Sequence, residues 1–138
     1  MISNPTEAKN KSRMGLGFLL GMLGAYIFVE AFVRLAYWLG LFELGSATNI
    51  NYLVSIFSGL VTGILTIYIS KERQLRILLF VVGTLLLMDH IAFFSNVDFS
   101  LSRMINRMLI DFSVLIGGFI TYKLIGNKDH FNLENEIK

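Results

Sequence analysis

The sequence predicts an all-α integral membrane protein, a four-helix bundle with both termini cytoplasmic. Four apolar stretches are each long enough to cross a bilayer, Lys and Arg crowd one side of them, and the roughly ten-residue alternation of a barrel strand is absent. A helix rises about 1.5 Å per residue, so about 20 residues cross about 30 Å of hydrocarbon. No water is there to satisfy backbone groups, so each crossing segment must bond internally as a helix.

The first span is expected over residues 15–38. Its basic flank (Lys9, Lys11, Arg13) and apolar core have the outline of a signal peptide. The apolar stretch outruns a signal-peptide core, however, and no A-x-A cleavage site follows, so it reads as a retained span. The second span is Tyr52–Ser70, YLVSIFSGLVTGILTIYIS; the third runs over residues 75–94 and the fourth over 103–125. Residues 126–138 form a polar tail, expected as a short surface helix or a structureless end. With no internal repeat, low-complexity tract or linker, residues 1–138 read as one four-span domain.

Orientation follows from the basic residues near the span ends. Lys9, Lys11 and Arg13, then Lys71, Arg73 and Arg76 in the turn KERQLR, then Lys123, Lys128 and Lys138 fall on one side. The connection GLFELGSATNIN on the other side has no Lys or Arg, and SNVDFSLS is followed only by Arg103 and Arg107. The basic side is therefore assigned to the cytoplasm of a cell membrane, the inner membrane in a bacterium. Tyr37, Trp38 and Tyr52 would sit at the outer interface and Tyr68 and Tyr122 at the inner one.

Composition narrows the function classes. Apolar residues make up 54% of the chain and charged residues 16%, a balance that points to the lipid bilayer as the chief partner. The net charge of +2 is spread over several short flanks, so nucleic acid is not expected as a partner. The absence of cysteine removes disulfides, thiolate metal sites, iron–sulfur clusters and cysteine nucleophiles. No P-loop, dinucleotide fingerprint or G-x-S-x-G occurs, and His90 has no second metal ligand at E-x-x-H spacing. No cofactor or metal is expected.

Two faces of small residues stand out. Gly17, Gly21 and Gly24 line one side of the first span, and Ser55, Gly59, Thr62, Gly63, Thr66 and Ser70 line one side of the second. Such faces let neighbouring backbones approach closely, with hydroxyls bonded to their own preceding turn. A hydroxyl-lined path for a polar solute is the alternative. Packing carries the greater weight, because small-xxx-small spacing is common in membrane helices.

The ionisable residues within the spans are the informative ones, each costing about 2.5–3.5 kcal/mol at a helix centre. They are Glu30, Arg34, Asp89, His90, Arg107 and Asp111. Tyr26, Glu30, Arg34 and Tyr37 share one face of the first helix, opposite its glycine seam. Glu30 lies about 22 Å above Gly15, Asp89 about 21 Å above Leu75, and Asp111 about 12 Å below Arg103. All three carboxylates thus fall in the outer half of the bilayer, and the six residues are expected to form one polar cluster. Two outcomes stay open: a self-neutralising network that fastens the helices, or a site for a small solute, ion or proton.

The four-span plan with two Asp near the outer face is similar to that of the lipoprotein signal peptidases, a resemblance that would imply an Asp89–Asp111 dyad activating water. The Gly-Asn-x-x-Asp-Arg and Phe-Asn-x-Ala-Asp motifs of that family are missing; INRMLIDF holds Asn106 and Asp111 at a different spacing. The leading expectation is a transport-type or channel-like protein, acting as a homo-oligomer, with proton coupling through Asp111, Asp89 and His90. The alternative is a non-transporting subunit or accessory protein that docks a partner's helices, and the third is a membrane-embedded hydrolase.

Overall fold

The computed structural model describes residues 5–70, 73–95 and 100–136, with side chains over 12–70, 73–95 and 100–125. Lys9, Lys11, Lys71, Lys128 and Lys138 fall outside the described side chains. Five helices follow one another: α1 Pro5–Trp38, α2 Leu41–Leu44, α3 Ala47–Ser70, α4 Gln74–Ser95 and α5 Leu101–Glu136. Among the described residues there is no strand, and four helices are long and apolar enough to cross a membrane. The shortest of them, α4 with 22 residues, measures about 33 Å and still exceeds the hydrocarbon thickness. Four such helices fit a small multi-pass membrane protein.

Helices outrun the apolar stretches because hydrogen bonding, unlike burial in lipid, does not stop at the hydrocarbon edge. Thus α3 begins at Ala47, before the expected Tyr52, since Ile50 is buried against Ala36 and Val54 and draws the polar ATNIN segment into the helix. The polar tail likewise continues α5 as far as Glu136, with no break at residue 126. The connection GLFELGSATNIN is mostly helical too, through the single turn of α2 and the start of α3. Gly40 stops α1: its φ of 68° is left-handed, and its N–H bonds the Tyr37 carbonyl at 3.0 Å.

α3 is the hub, packing against α1, α4 and α5. Its neighbours come close because small residues face them. On the α1 side, Gly17 abuts Ser70, Gly21 abuts Thr66 and the α4 residue Val81, and Gly24 abuts Thr62, an antiparallel register. On the α5 side the approach is backbone to backbone. A Cβ at Gly59 would lie 2.5 Å from the Ile110 carbonyl oxygen, one at Gly117 would lie 2.5 Å from that of Leu60, and one at Gly63 would fall onto that of Val114. α3 and α5 therefore run parallel, with glycines on both sides of the contact.

Four hydroxyls on the buried face of α3 are satisfied within their own helix, while Ser55 reaches Asn106 of α5. Ser58 donates to Val54 (2.7 Å), Thr62 to Ser58 (2.8 Å), Thr66 to Thr62 (2.8 Å) and Ser70 to Thr66 (2.5 Å), all to carbonyls one turn back. All four side chains are buried, so the face is a packing seam whose polar atoms need no water. The apolar core beside it is built on Ile67, Leu78, Val81 and Val114.

Candidate functional site

α4 and α5 are antiparallel, and one contact sets their register: Leu78 packs where a Cβ on Gly118 would otherwise sit. Three helical turns on, toward the C-terminal end of α4, the same register brings Asp89 to Arg107. Arg107 Nη1 donates to Asp89 Oδ1 at 2.8 Å. One turn deeper on α5, Asp111 is 3% exposed, and its Oδ2 has no hydrogen-bond partner among the described residues. Buried polar atoms without a partner are rare because each forfeits its hydration for nothing, so Asp111 is the anomaly of the bundle.

Two cavities meet at these three side chains. A cleft of about 200 Å³ between α4 and α5 is lined by Asp89, His90, Arg107 and Asp111, with Leu86, Phe93, Phe94, Met104 and Met108 as its apolar walls. A smaller void of about 20 Å³ lies where Ala25 and Tyr26 of α1 face Leu85, Asp89, Arg107 and Asp111. That void is large enough for one water, which needs about 10–15 Å³ and two or more polar partners. His90 is exposed at the cleft, with Nδ1 at 2.8 Å from the Leu86 carbonyl. That acceptor requires the proton on Nδ1 and leaves Nε2 as an acceptor when the ring is neutral.

Glu30 and Arg34 are not brought to this cluster. Arg34 Nε donates to Glu30 Oε1 at 2.9 Å, but the two side chains are 65% and 79% exposed for Glu30 and Arg34, and neither lines the cleft. The cause is the packing of the C-terminal half of α1. Val29, Phe32, Val33 and Ala36 turn toward α2 and α3, which rotates the Glu30–Arg34 edge outward. The helix supplies Ala25 and Tyr26 to the site in their place. The expected cluster of six thus divides into an exposed pair on α1 and a group of four on α4 and α5.

This division changes the charge count. The α1 pair balances itself, and Arg103 is exposed at the end of α5. What lines the cleft is one guanidinium and two carboxyl groups with His90, formally one negative charge in excess when both carboxyls are ionised. Such a site suits a cation, a proton or a ligand rich in hydrogen-bond donors. Arg107 on Asp89 is a different arrangement from two carboxyl groups sharing a proton. Among the described residues, no three His, Asp or Glu side chains converge as metal ligands.

Sequence reasoning passed over Tyr26 as a site residue, the aromatic and Met walls, and Asn106, whose Oδ1 is 3.5 Å from Ser55 Oγ of α3. Arg103, Asn106, Arg107 and Asp111 recur at helical spacing, a signal that would have placed Asn106 beside the others. The walls carried no such signal, because Phe and Met look alike whether they face lipid or a cleft. No protein-family model matches the chain, and no curated protein or solved structure was found that is similar to it.

Proposed function

We propose that the α4–α5 cleft is the ligand site of a small transport-type or channel-like membrane protein, and that the ligand is a small cation or hydrogen-bond donor. The observation that carries this is Asp111, whose buried and unpartnered Oδ2 borders a cleft already holding an ion pair. A purely structural network would have closed on itself, as the α3 hydroxyls do. A cleft of about 200 Å³ is below the roughly 300 Å³ at which pockets for drug-sized molecules begin, which favours an ion or a very small solute. Asp111 is the proposed carrier of a coupled proton, with Asp89 and His90 as the relay toward the outer end. On this reading the basic end of the molecule faces the cytoplasm.

The test is flux into proteoliposomes containing a pH-sensitive dye, with sodium, potassium, ammonium and guanidinium as probes. Wild type should move at least one of them with a coupled pH change, and Asp111→Asn should abolish it while keeping the helical content. Full flux in Asp111→Asn would sink the proposed role.

A second reading is favoured by the exposed α1 pair: the face of Tyr26, Glu30, Arg34 and Tyr37 docks another membrane helix, that of a second copy or a partner. Charges facing lipid are costly, and a covering helix would remove that cost. Glu30→Leu with Arg34→Leu should leave the chain folded and shift its mass in detergent to that of the monomer. An unchanged mass would count against this interface.

A further inference from the structure

We propose that the end of the molecule opposite the cleft binds one anionic phospholipid, in a groove between α1 and α4. The groove has a volume of about 340 Å³ and is lined by Met14, Phe18, Ile77 and Phe80, with Arg73 and Arg76 as its only polar residues. The rings of Phe18 and Phe80 stand 5.3 Å apart and tilted at 46°, which makes an apolar wall shared by the two helices. Arg34 and Arg107 each hold a carboxylate at hydrogen-bond distance; Arg73 and Arg76 hold none among the described residues. Two guanidiniums that hold no carboxylate among the described residues, beside an apolar groove, are complementary to a phosphodiester that carries acyl chains.

The chain goes out of its way to build this turn. Arg73 has φ 50°, the only positive φ of a non-glycine residue among the described residues, a conformation that costs about 1–2 kcal/mol. Guanidinium forks match phosphate oxygens with two parallel bonds each, whereas a neutral zwitterionic headgroup brings its own cation to oppose them. The apolar lining selects the lipid over free phosphate, because an inorganic ion offers no apolar surface to cover the wall of Phe18 and Phe80. Basic pockets between spanning helices at the membrane surface suit anionic headgroups for the same reason. The site is independent of what occupies the α4–α5 cleft.

The experiment uses the full chain in neutral detergent doped with equal dioleoyl phosphatidylglycerol and dioleoyl phosphatidylcholine, read by native mass spectrometry. Wild type should retain one phosphatidylglycerol in preference to phosphatidylcholine. Arg73→Gln with Arg76→Gln should weaken that retention about thirty-fold, from roughly fivefold per arginine. Met14→Trp, which keeps every charge and fills the groove, should weaken it as well, and Lys123→Gln at the same end should not. Equal retention of the two lipids by wild type would overturn the proposal, as would undiminished retention in the double variant. An equal loss in Lys123→Gln would mean diffuse surface attraction, and displacement by inorganic phosphate would mean a free-anion site; either overturns it. Should the double variant lose its helical spectrum, Met14→Trp decides alone, and unchanged retention there rejects the groove.

Discussion

Asp111 and Arg107 are one turn apart on α5, yet truncating them should have opposite effects on stability. Arg107 satisfies Asp89, so Arg107→Gln leaves a half-buried carboxylate without its cation and should cost about 1–3 kcal/mol in a denaturant titration of the detergent-solubilised protein. Asp111 Oδ2 satisfies no donor among the described residues. Asp111→Leu removes a buried oxygen that has no partner and should stabilise by about 1–3 kcal/mol. A group whose replacement strengthens the fold is retained for another purpose, so a destabilised Asp111→Leu would argue that a bond to the carboxyl holds the bundle together. His90, exposed at the rim, should tolerate Asn with little change in stability.

At the scale of helices, the α3–α5 contact is the most sensitive. Gly63→Ala puts a methyl group onto the Val114 carbonyl, which only a shift of α5 can relieve, at about 1–3 kcal/mol or more. Gly83 on α4 has open space where its Cβ would be, so Gly83→Ala should be neutral or slightly stabilising in the same titration. Equal losses in the two variants would mean that close approach of α3 to α5 does not set the cost. The small-residue pattern is legible in the amino-acid sequence because glycine spacing marks a close-packed face whichever helix fills it. Which helix fills it is not legible there: Gly17, Gly21 and Gly24 meet α3 and Val81 of α4, while Gly59 and Gly63 meet α5, four helices that any pairing of seams could have joined.

The whole molecule has one basic end, where Arg73 and Arg76 lie, and a polar cleft near the other. Because the chain has no cysteine, single replacements report its orientation cleanly. In intact cells, Ser46→Cys should react with a membrane-impermeant maleimide and Gln74→Cys should react only after permeabilisation. The reverse pattern would place the cleft on the cytoplasmic side and reverse the direction of any coupled proton. The lipid groove and the cleft, at opposite ends of α4, would then exchange leaflets but keep their chemistry.

Composition, span length and small-residue spacing were sufficient to determine an all-α chain with four helices able to cross a membrane, because lipid leaves the backbone no other way to bond. They also picked out the ionisable residues, since each carries a cost that only a role can offset. Which of those residues meet was decided by tertiary structure alone. Glu30 and Asp111 are matched in depth and both lie on polar faces, but the rotation of α1 about its own axis is set by Val29, Phe32, Val33 and Ala36 seeking α2 and α3. A helical wheel places residues around one axis; it has no term for the packing that turns that axis toward its neighbours. That turn leaves the Glu30–Arg34 pair outside and Asp111, whose Oδ2 has no partner among the described residues, within.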